Sequence, residues 1–237
     1  MHSTLSPSSR LLGVASAAVL LVVLAGCGRS IPSKPGTPLP PPGGGTGTLH
    51  VQAEISGSTA PAGGYVTAFT AVVEDALGAP VSGATVRMST PDGQVLLMEA
   101  PGVVGTYSFS GSGYTPGIYS LDVISGNDEV LGAWVVAPNT HTIVSPAPGD
   151  TVTASSDVVV DWDRIDPTQE VIVETLDYQA SMPDDPGRAV IPGAANPPRN
   201  DQRVTVTRAN RATVNGAQQG SEIGACFITT VEPVIVL

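Results

Sequence analysis

Glu74-Asp75-Ala76-Leu77-Gly78-Ala79-Pro80-Val81-Ser82-Gly83-Ala84-Thr85-Val86 reads as a chain reversal between two strands, and it sets the fold class. Gly78 suits a turn that needs positive φ, and Pro80 presets its own φ at the edge of the strand that follows. Before the reversal, Tyr65 to Val73 alternates, with Tyr65, Phe69, Ala71 and Val73 on one side. Leu49 to Ile55 alternates apolar and polar in the same way, the period of a half-buried strand. After the reversal, Val86 and Met88 face one way and Thr85 and Arg87 the other. Thr90-Pro91-Asp92-Gly93 and Ser125-Gly126-Asn127-Asp128 are further turns. Short runs at spacings of roughly ten residues are what a β-sandwich requires.

Composition points the same way. Of 237 residues only 4% are aromatic and 13% charged, against 27 glycines and 22 prolines. Few helix formers and many turn residues between β-branched runs favour an all-β class. An apolar fraction of 41% in alternating positions argues against disorder throughout. Without a leader and a linker, roughly 190 residues remain, enough for two small cores.

The segment from Glu74 to Val86 resembles bacterial immunoglobulin-like and carboxypeptidase-regulatory-like domains. The resemblance extends to Gly105-Thr106-Tyr107 and to Gly117-Ile118-Tyr119-Ser120-Leu121-Asp122-Val123, a late strand shared by those families. It implies a β-sandwich over residues 49–137. Pro138-Asn139-Thr140 then breaks the pattern and marks a boundary. Ile143 to Val152, with the strand Asp157-Val158-Val159-Val160-Asp161-Trp162-Asp163, resembles fibronectin type III-like or immunoglobulin-like modules of secreted bacterial proteins. This implies a second sandwich over 138–237, with Trp162 buried beside Val158 and Val160. Gln169 to Tyr178 is read as a strand, and Ser181 to Pro198 as a long loop, either a recognition loop or a variable insertion. Gln202 to Arg208, Ala212-Thr213-Val214 and Phe227 to Leu237 close the module, with Pro233 marking an edge or a bulge. The expected architecture is two tandem Ig-like β-sandwiches after a signal peptide and a Pro/Gly-rich linker.

That leader occupies residues 1–26. Arg10 supplies its fixed positive charge, and the apolar stretch from Leu11 to Ala25 is too short to span a bilayer comfortably. Leu24-Ala25-Gly26-Cys27 resembles the lipobox of bacterial lipoprotein signal peptides. The resemblance implies recognition of Leu24, Ala25 and Gly26 by a dedicated signal peptidase. It also implies that Cys27 carries a thioether-linked diacylglycerol and an amide-linked chain such as palmitate. Two or three acyl chains, at roughly 0.8 kcal/mol per buried methylene, anchor a protein practically permanently. Gly28 in place of Asp after the cysteine implies the outer membrane rather than the inner in a two-membrane cell. Residues 27–48 form the tether. Its prolines are extended chain and Gly43-Gly44-Gly45 a flexible joint, with a reach of up to about 60 Å.

The net charge of -11 disfavours nucleic acid and anionic headgroups, so membrane association is expected through lipid alone. The best candidate for chemistry is the acidic stripe of Asp157, Asp161 and Asp163, with Asp166 just downstream. Carboxylates on one strand face repel unless a cation lies nearby. Asp161, Asp163 and Asp166 are therefore weak candidates as Ca²⁺ ligands, and Arg203, Arg208 and Arg211 are alternative partners for the stripe. With Cys27 lipidated, Cys226 has no intrachain partner and is expected as a buried inert thiol, an intermolecular disulfide being the alternative. Trp134 is read as a core or interdomain residue, or else as a stacking platform for sugar rings. No His-Glu-x-x-His, Gly-x-Ser-x-Gly, phosphate-binding loop or Cys-x-x-Cys occurs, and nothing places His50 or His141 in a triad. The expected function is a non-catalytic structural or adhesive envelope module needing no cofactor. The alternative is an accessory subunit that binds an envelope protein or a glycan.

Overall fold

The computed structural model describes residues 39–237. The leader, Leu24, Ala25, Gly26, Cys27 and the proline tract through Pro38 lie outside the described residues. The described chain is all-β: it holds sixteen strands and one 3-10 turn, Gly193–Ala195.

The first eight strands are β1 (Gly44–Gly45), β2 (His50–Thr59), β3 (Tyr65–Glu74), β4 (Thr85–Thr90), β5 (Gly93–Glu99), β6 (Thr106–Ser112), β7 (Gly117–Ser125) and β8 (Asp128–Ala137). Then follow β9 (Ile143–Ser145), β10 (Thr151–Val152), β11 (Val158–Trp162), β12 (Glu170–Glu174), β13 (Gln179–Pro183), β14 (Arg188–Ile191), β15 (Arg199–Thr213) and β16 (Glu222–Val236). Hydrogen bonds link them in the order β1-β8-β7-β4-β5-β6-β3-β2-β16-β15-β12-β13, with β10 on β16, while β14-β11-β9 form a separate sheet. β5 turns the corner of the long path. It pairs with β4 through Gly93–Leu97 and with β6 only at Met98 and Glu99.

The Glu74–Val86 reversal forms as expected, and Asp75 organises it. Its carboxylate accepts the amides of Leu77 and Ala79 (2.8 and 2.9 Å), the local bonding that makes aspartate a turn residue. Gly78 takes φ of 78° there. The strand beyond is pinned by the Tyr107 hydroxyl, which donates to the Val81 carbonyl (2.7 Å) and accepts the Ala84 amide (2.9 Å).

Two hydrophobic clusters fill the structure. Alternate residues of β2, β3, β4, β7 and β8 build the first, including Val51, Ile55, Ala71, Val86, Leu121 and Val135. Val158, Val160 and Trp162 of β11 face Val171, Val173, Val204 and Val206 in the second, and Trp162 is buried as the alternation implied. The clusters do not divide the chain at residue 138. Val214, Ile223, Ala225 and Phe227 belong to the first, because β16 runs parallel to β2 with Glu222–Ile228 beside Gln52–Ser58. The β15–β16 hairpin thus serves both cores, and its length is the reason. Arg199 to Thr213 is one strand that joins the two expected segments, paired with β16 along its length with register shifts on either side of Gln202.

Three local expectations change. Ser181 to Pro198 is not a structureless loop, since Arg188–Ile191 pairs with β11 and Gln179–Pro183 with β12. Gly43-Gly44-Gly45 is not a joint: Gly44 and Gly45 pair with Leu131 and Val130 on the β8 edge. Trp134 leaves the core face, because a bulge between Leu121 and Val123 and positive φ at Gly132 shift the β8 alternation by one residue.

Candidate functional site

The acidic stripe does not converge. Asp157 accepts the Gly193 amide (2.7 Å), and Asp161 pairs with Arg188 at 3.4 Å across the β11–β14 ladder. Asp163 accepts the Thr142 amide, and Asp166 accepts the Asn139 side chain (3.0 Å). Among the described residues no three His, Cys, Asp or Glu side chains are grouped to hold a metal ion. Asp161, Asp163 and Asp166 therefore each face a different partner. Of the arginines expected to neutralise the stripe, Arg208 and Arg211 pair elsewhere, and the stripe's cationic partner is Arg188.

Polar groups do converge at the joint between the two clusters. Arg208 and Asp185 have no exposed side-chain surface, and the arginine Nε donates to Asp185 Oδ2 at 2.6 Å. The guanidinium also donates to the carbonyls of Asn139 (3.1 Å) and Asp166. The other oxygen of Asp185 accepts the Trp162 indole N–H at 2.9 Å and the Gly187 amide at 3.3 Å. A buried ion pair is tolerable only when its remaining donors and acceptors are bonded in this way. Asn210 extends the girdle: its amide accepts from the Gln169 N–H and donates to the Val136 carbonyl of β8. Tyr114 donates to the Pro138 carbonyl at 2.7 Å. The joint ties β8, the 138–142 connection, β11 and β15 together.

His141 lies inside this joint at 3% exposure. Its Nε2 bonds the Val206 carbonyl (3.1 Å), while its Nδ1 has no hydrogen-bond partner. The ring meets the edge of Phe227 at 5.5 Å. Burial, and then the positive Arg208, depress its pKa to about 4, so the imidazole is neutral at ordinary pH. Among the described residues no hydroxyl or thiol is bonded to the ring, and the Thr229 hydroxyl donates to the His141 carbonyl instead (2.8 Å). Cys226 is buried, with its thiol pushed up to about 12 by burial and by Glu54, whose carboxylate it approaches at 3.7 Å. This agrees with the inert-thiol expectation.

Of the tyrosines, Tyr107, Tyr114 and Tyr119 are buried and Tyr65 is exposed. Trp134 is half-buried and lines a recess of about 160 Å³ together with Pro42, Gly43, Ala212 and Thr213. These glycines are required by space. A Cβ on Gly43 would sit 2.6 Å from the Leu131 carbonyl oxygen, and one on Gly45 2.5 Å from that of Gly216. Thr46 and Gly47 donate to the carbonyls of Glu129 and Gly216 (2.9 and 2.8 Å), fastening the segment between β8 and the β15–β16 turn.

Arg208 was expected to face the acidic stripe, and its pairing with Asp185 escaped the sequence reading, although one signal was present. Gln202, Val204, Val206 and Arg208 share one face of a strand, and a cation at a core-facing position demands a buried partner. Nothing local identifies Asp185 as that partner.

No protein-family model matches the chain, and no curated protein matches it. Among solved structures, the chain is similar to the fibronectin(III)-like modules of Clostridium thermocellum CbhA, at 13% identity over 78% of this chain and 94% of that one, with a TM-score of 0.25. It is also similar to a 1.5-MDa bacterial ice-binding adhesin, at 18% identity over 80% of this chain and 66% of that one, TM-score 0.25. The Yersinia pseudotuberculosis adhesin InvE matches at 17% identity over 79% and 61%, TM-score 0.24.

Proposed function

We propose that the protein is a non-catalytic, lipid-anchored structural or adhesive module of a bacterial cell envelope, presenting two fused β-cores away from the membrane. The observation that carries this reading is the joint. Arg208, Asp185, His141 and Asn210, the buried polar groups suited to chemistry, are committed to holding the two cores on one hairpin. The lipobox supports the anchor. Cys27 carries the acyl chains, and Gly28 after it directs the protein to the outer membrane of a two-membrane cell. Because Gly43 to Thr48 is fastened to the body, the tether shortens to the sixteen residues from Cys27 to Pro42, with a reach of up to roughly 50 Å rather than 60 Å. A second reading, an accessory subunit for an envelope protein, draws on the open side of the first core.

Metabolic labelling with an alkyne analogue of palmitate tests the anchor. The wild-type chain takes up label and fractionates with membranes. Cys27→Ala abolishes the label and leaves the chain soluble or stalled as precursor. A Cys27→Ala chain that is processed yet still firmly membrane-bound would overturn the reading.

A further inference from the structure

The first core treats its strand edges unequally. Along β8, the strap at Gly44–Gly45 pairs with Val130 and Leu131, and the Asn210 amide reaches the Val136 carbonyl. The β2 edge is paired with β16 over seven residues. On the opposite side, β5 leaves β6 after Met98–Ser108 and joins β4, so β6 continues from Phe109 to Ser112 with β3 alone beside it. Among the described residues no strand pairs with that side of Phe109–Ser112, which leaves a strand position next to β6 vacant.

The backbone polarity of that vacancy follows from the hydrogen bonds of β6 and its flanking residues. Gly113 N–H bonds Tyr65 and the Gly105 carbonyl bonds Val73, so odd-numbered residues of β6 face β3. The Thr106 carbonyl accepts from Ala100 on the β5 side. In an antiparallel ladder these directions alternate, so the N–H and C=O groups of Ser110 and Ser112 point into the vacancy. Exposed edges are ordinarily guarded by lysine, proline or an inward charge. Neither Gly93-Gln94-Val95-Leu96-Leu97-Met98 nor Ser108-Phe109-Ser110-Gly111-Ser112 contains one. Between them lies an open cleft of about 330 Å³, with Phe69, Phe109, Tyr119 and Val95 among its lining. Phe109 stands at the mouth, 36% exposed and 6.0 Å from the Phe69 ring.

We propose that this cleft receives an extended, neutral-to-basic segment of a partner protein, added as a strand along the Ser110–Ser112 edge with its inward side chains over Phe109. The proposal deepens the adhesive reading by naming the class of partner. Charge selects the occupant. Among the described residues Asp92 is the only charged side chain lining the cleft, one of its oxygens being held by Thr115 (2.5 Å), and the chain carries a net charge of -11. A second copy, itself carrying a net charge of -11, would bring like charge to the same cleft. Residues 27–38 of the same chain carry Pro32, Pro35 and Pro38, which cannot donate to a ladder.

The test is selection of a random ten-residue peptide library, displayed on phage, against the full chain. Enriched peptides are expected to alternate apolar residues, to carry Lys or Arg and to lack acids. The best of them, synthesised, should lose at least tenfold in affinity on Val95→Lys, which places a guard charge in the cleft. Ser110→Pro, which removes one edge donor without touching the β3 ladder, should do the same, and Asp92→Asn should cost about threefold. Each variant is first checked for an unchanged thermal midpoint, and amide exchange with bound peptide should slow at Ser110 and Ser112. Four results would overturn the proposal: no peptide enriched above the Val95→Lys control, acidic peptides enriched, protection mapping to another edge, or self-association through β5. Glycan-array binding lost on Phe109→Ala, with no peptide enriched, would assign the cleft to sugars instead. None of these outcomes bears on lipid labelling at Cys27, so the anchor and the cleft fail separately.

Discussion

Arg208 and His141 show how a buried joint depends on single atoms. The guanidinium survives at zero exposure because Asp185 and two carbonyls take its donors. His141 survives by staying neutral, and that makes it acid-sensitive. Its ordinary pKa of 6.5 falls to about 4 in the folded chain, so between those values the unfolded chain binds a proton that the folded chain refuses. Its contribution is therefore present above about pH 6.5 and is lost as pH falls toward 4, a difference of about 3 kcal/mol. His141→Gln, which keeps a donor toward the Val206 carbonyl, should flatten this part of the curve. Thermal midpoints of the two proteins from pH 7 to pH 4 will converge if the assignment is right and stay parallel if it is wrong. The histidine was visible in the sequence but its role was not, because desolvation depends on Phe227 and Val206, residues far along the chain.

At the scale of elements, the strap from Gly43 to Thr48 is the clearest departure from local reading. Three consecutive glycines are ordinarily the most flexible sequence available, since the unfolded chain gains entropy from each. Here Gly43 and Gly45 are needed because the slot between β8 and Gly216 has no room for a Cβ, whereas Gly44 faces open space. Gly45→Ala should expel the strap, with loss of the Thr46 and Gly47 backbone bonds and a destabilisation of about 1–3 kcal/mol. Limited proteolysis reads this directly, with cleavage within residues 40–48 rising while the body stays intact. Unchanged protection would mean that the strap carries no such constraint. By contrast, the Glu74–Val86 reversal was legible because its determinants are local. Asp75, Gly78 and Pro80 act within six residues of one another.

At the scale of the whole molecule, the two cores are coupled by the β15–β16 hairpin. Phe227 is fully buried in the first core, 4.9 Å from Tyr114 and 5.5 Å from His141, yet it lies on the strand whose later residues Val231 and Val234 build the second. Phe227→Ala should cost about 3–5 kcal/mol, the usual penalty for a large core truncation. Calorimetry should show a single transition moved to lower temperature, and two separating transitions would show that the cores fold independently. The all-β class and most strand faces were determined by the sequence alone, because alternation and turn chemistry are short-range and each residue's face follows from its neighbours. So was the candidate anchor at Leu24-Ala25-Gly26-Cys27, which is a linear signal. Only the tertiary structure decided that the acidic stripe disperses onto separate partners and that Arg208 meets Asp185. It alone decided that a C-terminal strand completes the first core and that β6 keeps an open edge. Each of these is a pairing between distant segments, set by what space and which hydrogen-bonding groups the other strands leave unfilled.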